Sequence, residues 1–205
     1  MLEIFTIPAQ LSEELLKFYK KQDCYSLTSL PEHKNDLRMH VGVYLLFYHG
    51  DSELYNDISE INKENCMFPL YVGKAVESGR RTGAQVTNKQ SLYGRLCEHR
   101  RSINQSEGLS IEEFSFKVIA MGSDLVTWGE ATMIRYFQPV WNQIIDGFGI
   151  HDPGGGRAQQ KRSAWDILHP GRGFTSKLPN LSEIAIEDIR EKIKSSCKRF
   201  LSENK

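Results

Sequence analysis

Apolar residues recur along this chain with two periods, and each marks a kind of element. Leu11, Leu15, Phe18 and Tyr19 fall on one stripe at helical spacing, so residues 11–21 are expected to form a helix. HVGVYLLFYHGD, residues 40–51, reads as a strand ended by a turn at Gly50-Asp51. FPLYVGKAV, residues 68–76, reads as a second strand, extended over Pro69–Val72 and broken by Gly73-Lys74. With the first it makes a hairpin whose long, acidic, partly helical connection spans residues 51–67. Residues 78–90 carry Gly, Thr and Asn without apolar period and read as a loop. SLYGRLCEHRRSIN, residues 91–104, is helical, with Ser91 as its cap and Leu92, Leu96 and Ile103 facing inward. FSFKVIAM, residues 114–121, is a third strand, rich in β-formers. SDLVTWGEATMIRYF is a second helix, capped by Ser123 or Asp124 and stopped before Pro139. A glycine-rich loop, GFGIHDPGGGRAQQ, and a short helix or turn ending at His169-Pro170 follow. Ile186, Ile189, Ile193, Cys197 and Phe200 then define an amphipathic C-terminal helix.

The order β-β-α-β-α implies an α+β fold: a small, mostly antiparallel sheet flanked by helices, with helical additions at both ends. At 205 residues the chain suits one domain. Its core would span about residues 40–145, with residues 146–205 forming a C-terminal extension. No apolar run approaches the roughly 20 residues of a membrane span, and the first residues lack the basic start and apolar block of a signal peptide. Cys24, Cys66, Cys97 and Cys197 are scattered without a C-x-x-C pair, so neither a zinc site nor a disulfide framework is expected, and a reduced cytoplasmic setting is.

Net charge is zero, which argues against a generic basic coat for nucleic acid, but the charge is unevenly placed. Residues 51–65 are strongly acidic, with Lys63 the lone cation there. Residues 71–105, with Lys74, Arg80, Arg81, Lys89, Arg95, Arg100 and Arg101, are net basic, and so are residues 147–180. A neutral chain patterned in this way can still turn a basic face to phosphates.

Several polar residues stand where chemistry could use them. Strand alternation turns Tyr44 away from Val43 and Leu45. It likewise sets Leu70 and Val72 on one face and Tyr71 on the other, on the side expected for Tyr44. Gly73 beside it would leave space for a phosphate. Arg95 and His99 are four apart on the first core helix and share a face. Glu130 has Trp128, Met133 and Ile134 as neighbours, so its carboxylate is expected to be partly buried and to need a cation or donors. Asn142 follows the second core helix.

VGVY and YVG, with Tyr44 and Tyr71 27 positions apart, followed by Arg95, His99, Glu130 and Asn142 in that order, resemble the motif set of the GIY-YIG nuclease superfamily over residues 40–145. The first motif departs from the family by reading Val-Gly-Val-Tyr, but it keeps the tyrosine. YVGKAV, R-x-x-E-H, WNQIIDGFG, PGGGRAQQKRSAWD and HPGR extend the likeness to the branch of type II restriction endonucleases that cut CCGCGG.

The resemblance implies hydrolysis of DNA phosphodiester bonds with Tyr44, Tyr71, Lys74, Arg95, His99, Glu130 and Asn142 at the site. One carboxylate, Glu130, suits Mg²⁺, which keeps most of its waters and takes other contacts from phosphate. Arg95 supplies a fixed positive fork for the phosphate oxygens. A tyrosine anion at pH 7 costs about 4 kcal/mol, which Arg95, Lys74 and a metal are expected to lower. Tyr44 is then the candidate base with His99 as its relay, and Lys74 is the rival. Asn142 is expected to hold the site together rather than to react.

Guanine-rich sequence is read best by arginine forks in the major groove. The candidates are Arg80 and Arg81, then Arg157, Gln159, Gln160, Lys161, Arg162 and Arg172, the last six in the loop and helix of about residues 146–205 that are expected to recognise DNA. A palindrome implies a homodimer on double-stranded DNA, and the resemblance implies a cognate DNA methyltransferase in the same system. A repair or homing-type nuclease on the same core, and a non-catalytic DNA-binding module that kept the fold, are the alternatives.

Overall fold

The computed structural model of the chain describes residues 7–76, 91–150, 161–179 and 186–203. Its helices and strands run in the order α1 (Ala9–Lys20), β1 (Tyr25–Ser26), α2 (Lys34–Leu37), β2 (Gly42–Tyr48), α3 (Asn56–Asn62), β3 (Tyr71–Ala75), α4 (Leu92–Gln105), β4 (Phe114–Ala120), α5 (Val126–Phe137), α6 (Val140–Gln143), α7 (Ala164–Leu168) and α8 (Ile186–Glu203). A 3-10 helix at Leu27–His33 joins β1 to α2. The four strands form one antiparallel sheet in the order β1-β4-β2-β3, so the fold is α+β, as the sequence implies.

Strand β2 is the sheet's spine. Every residue of GVYLLFY is buried, which explains its unbroken apolar run: both of its faces are covered. Tyr44 meets His99 of α4 on one face, and Val43 lies against Gly129 of α5 on the other. Adjacent strand residues point to opposite faces, so α4 and α5 sandwich the sheet. Ser91 caps α4 by accepting from the Gly94 N–H, and Leu92, Leu96 and Ile103 are buried, as expected.

Some expectations are corrected. Strand β3 starts at Tyr71 and runs through Gly73-Lys74 to Ala75. Gly73 stays in the ladder opposite Tyr44, where a Cβ would lie 2.5 Å from the Tyr44 hydroxyl. The space expected for a phosphate is therefore filled by the tyrosine. Helix α5 begins later than expected, behind a turn in which Leu125 N–H donates to Gly122 O, so neither Ser123 nor Asp124 is its cap. In α1 only Leu15 and Tyr19 of the apolar stripe are buried, and Leu11 and Phe18 are exposed. In α8 Ile186 is exposed, whereas Ile189, Ile193, Cys197 and Phe200 are buried.

The cysteines also depart from expectation, because two of the four are bridged. Cys24 and Cys66 form a disulfide with Cα atoms 6.4 Å apart, although 42 residues separate them. Distance along the chain does not report distance in the fold, and the bridge ties the segment before β1 to the segment before β3, although these are the two edge strands of the sheet. Cys97 and Cys197 are free. No helix among the described residues is long and apolar enough to cross a membrane.

Candidate active site

Strand register places the two tyrosines. Tyr44 pairs with Gly73 and Leu46 with Tyr71, so Tyr44 and Tyr71 share the α4 face of the sheet, with ring centroids 6.3 Å apart. One turn of α4 carries Arg95 and His99 onto that face. His99 Nε2 hydrogen-bonds with the Tyr44 hydroxyl at 2.7 Å, and its ring lies 5.1 Å from that of Tyr71. Tyr44 is wholly buried, whereas Tyr71 and Arg95 are partly exposed. A phosphate approaching this face would meet Tyr71 and Arg95 first.

The electrostatics correct one expectation. Burial lifts the Tyr44 phenol well above its ordinary pKa of 10, and Tyr71 adds to the rise; Arg95 acts the other way but does not overcome burial. Tyr71 is pushed up to about 12 by burial, against the pull of Arg95. Burial thus outweighs the pull of Arg95, and both phenols are held above their ordinary pKa. Burial alone would lower the Arg95 pKa, but Tyr44, Glu98 and Tyr71 outweigh it and raise it, and one Arg95 nitrogen lies 2.6 Å from the Glu98 carboxylate.

Lys74 pairs with Val43 in the ladder and so faces the other side of the sheet, toward α5. There its ammonium lies 2.8 Å from the Glu130 carboxylate. Glu130 has the partial burial and the cation that its apolar neighbours demand, and its side chain is 20% exposed. Its charge still reaches the phenols of Tyr44 and Tyr71, raising both. Among the described residues no cluster of three His, Cys, Asp or Glu side chains could hold a metal ion. A single carboxylate oxygen donor fits a hard cation that takes its other contacts from water and phosphate.

Asn142, in α6, meets β3 at Val72. Its side-chain amide accepts from Val72 N–H and donates to Val72 O, each at 2.8 Å. It thereby closes the outer edge of β3, whose residues 71 and 74 point to opposite faces.

Of the expected DNA-contacting residues, Arg80, Arg81, Arg157, Gln159 and Gln160 lie outside the described residues. Lys161 is exposed. Arg162 is partly buried and donates to Thr175 O at 3.1 Å. Arg172 corrects its expectation, because it is only 2% exposed. Its guanidinium donates to Asp166 at 2.7 Å and to the carbonyls of Gly147, Phe148 and Ile150, and it lies over the Trp165 ring. A cation so enclosed braces the interior, its donors spent on Asp166 and on backbone carbonyls.

Sequence reasoning missed Phe148. Its ring stacks on His99, with centroids 4.5 Å apart at 22°, and meets Tyr71 edge-on at 4.9 Å. The available signal was an aromatic residue set between two glycines shortly after Asn142.

A hairpin that presents two tyrosines to an Arg/His helix, with a glutamate on the opposing helix and an asparagine locking the edge strand, is the arrangement of a GIY-YIG nuclease. A family model described as the Eco29kI GIY-YIG domain matches residues 36–197, and the chain belongs to this family of restriction endonucleases. No curated protein matches the chain.

Proposed function

We propose that the protein is a type II restriction endonuclease that hydrolyses double-stranded DNA at a specific GC-rich palindrome, CCGCGG by its resemblance. The observation that carries the catalytic part is the 2.7 Å contact between the Tyr44 hydroxyl and His99 Nε2, buried beneath the partly exposed Tyr71 and Arg95. A phenol held protonated cannot wait as a phenolate base, but it can shuttle. Tyr44 takes a proton from the attacking water while passing its own to His99 Nε2, so the net transfer runs from water to imidazole. This role requires the His99 tautomer whose Nε2 is the acceptor. Arg95 and Tyr71 bind the phosphate oxygens from the open side, and Arg95 carries the permanent charge that complements the transition state.

Glu130 would be the one protein ligand of a Mg²⁺ ion, and Lys74 stands at its carboxylate. Such an ion, when bound, stabilises the leaving 3′ oxygen and the charge developing on the phosphate. Asn142 acts through β3 by holding the backbone between Tyr71 and Lys74. Lys161 and Arg162 are the described residues proposed to meet DNA, together with Arg80, Arg81, Arg157, Gln159 and Gln160.

A palindromic target is matched by a two-fold homodimer with one site per strand. The host's own DNA would be protected by a cognate methyltransferase, a functional partner. The enzyme would act in the cytoplasm, where the Cys24–Cys66 bridge would form against reducing conditions.

The test is incubation of the protein with plasmid DNA and Mg²⁺, followed by sequencing of the fragment ends. Discrete fragments ending within CCGCGG are expected. Discrete fragments with other ends would overturn the target and keep the nuclease. Nicks at DNA structures would indicate a repair enzyme, and intact DNA that is nonetheless bound would indicate a non-catalytic module.

A further inference from the structure

We propose that Phe148, held in place by Arg172, is a positioning residue that aims His99 at Tyr44; its catalytic consequence rests on the nuclease reading above. The sequence from Gly147 to Ile150 lies in no helix or strand; within it Gly147 O accepts from Ile150 N–H at 3.1 Å, and further donors to its carbonyls must come from elsewhere. One guanidinium supplies them: Arg172 donates to Gly147 O at 2.9 Å, Phe148 O at 3.1 Å and Ile150 O at 2.8 Å. Asp166 balances its charge at 2.7 Å, with both side chains 2% exposed. Rings of Trp165 and Phe174 flank it at 4.6 and 5.0 Å. Burying a charged pair is costly unless its hydrogen bonds are filled. Here the bonds are filled, and what they fix is this one short segment.

The segment's glycines show what is being fixed. Gly147 adopts φ +108°, which favours glycine, and Ser163 occupies the place of its side chain. A Cβ on Gly149 would lie 2.7 Å from the Tyr71 hydroxyl. Backbone therefore passes close to the tyrosine, and Phe148 projects among the rings of Tyr71, His99, Trp141 and Trp165. Trp141 and Trp165 back it at 4.4 and 5.1 Å. Its front face lies against His99 at 22°. A ring stacked in this way sets the plane of the imidazole and hence the direction of Nε2. That nitrogen lies 2.7 Å from the Tyr44 hydroxyl. Proton transfer needs that alignment, because small misplacements of reacting groups slow a reaction far more than they weaken binding.

The rival account is that Phe148 only fills the core. Phe148→Leu keeps apolar volume but removes the flat face, and Phe148→Tyr keeps the face. Long-range ¹H–¹⁵N NMR of the His99 ring, on the whole protein without DNA, reads the effect without any cleavage. The native protein and F148Y should show one imidazole tautomer, and F148L a mixture of tautomers or exchange-broadened signals. In cleavage assays kcat of F148L should fall by about tenfold or more while KM changes little. R172K, which cannot span three carbonyls and a carboxylate, should give the same His99 signature, and it carries the test if F148L does not fold. Unchanged His99 signals in both F148L and R172K would overturn the proposal. Altered His99 signals in a protein that cuts no DNA would leave the positioning intact and remove the nuclease reading.

Discussion

Tyr44 and Gly73 face each other across β2 and β3, and the hydroxyl of the tyrosine lies where a side chain on the glycine would be. The two halves of the motif are therefore one steric unit: the second supplies a gap for the tyrosine of the first. Gly73→Ala puts a methyl 2.5 Å from that hydroxyl and must displace the ring or the strand. The expected cost is about 1–3 kcal/mol of stability, with loss of cleavage beyond what the lower melting temperature explains. Thermal melts beside cleavage rates at a temperature where both proteins are folded would separate the two effects.

Tyr44→Phe keeps the ring and deletes the proton path to His99. Cleavage should fall by about 100-fold or more, with DNA binding unchanged in a gel shift. Lys74→Ala should be milder in the proton step, because Lys74 sits on the opposite face of the sheet against Glu130. If Y44F cuts at close to the native rate and K74A does not, the base is the lysine.

Glu130→Ala removes the one candidate metal ligand and leaves the Tyr44–His99 contact in place. Cleavage should be abolished at any Mg²⁺ concentration, while specific DNA binding persists in a gel shift. Full Mg²⁺-dependent cutting by this variant would rule out Glu130 as the ligand.

His169 gives the protein an acid-sensitive core. It hydrogen-bonds with the Tyr55 hydroxyl at 2.6 Å, and Trp141 Nε1–H donates to the same oxygen at 2.9 Å. Burial lowers its pKa from 6.5 to about 4. The unfolded chain then binds the proton at a higher pH than the folded one, so stability rises with pH between about 4 and 6.5. On acidification through that window the folded state should lose up to about 1.4 kcal/mol per pH unit from this group. Urea melts from pH 7 to pH 5 should show the loss, and His169→Gln should flatten that part of the profile.

The Cys24–Cys66 bridge closes a 42-residue separation and should contribute about 2–4 kcal/mol. Melting the native protein with and without reductant should reveal that difference. The Cys24→Ser/Cys66→Ser double variant should melt like the reduced protein in both conditions. Identical melts of the native protein in both conditions would show that the bridge is not formed in solution.

The parts of the molecule legible in the sequence are those where local pattern and tertiary demand agree. β2 announces itself by an unbroken apolar run, α4 by its Ser91 cap and inward leucines, and the pairing of Tyr44 with Tyr71 on one face follows from strand alternation. What stayed hidden depended on partners distant in the chain. Arg172 looks like a surface cation until Asp166 and the carbonyls of residues 147–150 enclose it. Lys74 looks like a neighbour of Tyr71, but an odd number of strand positions separates them and sends them to opposite faces. Phe148 carries no motif of its own, and its place follows from α4 and α7 closing around it.

The amide of Asn142 has a consequence beyond the site. β3 is an edge strand, and such strands offer unpaired backbone groups to any other extended chain. Here Val72 N–H and O are both taken by Asn142, and Trp141 N–H takes Leu70 O. One side chain thus stands in for a fifth strand, so the residue that steadies the tyrosine strand also guards the protein against edge-to-edge aggregation.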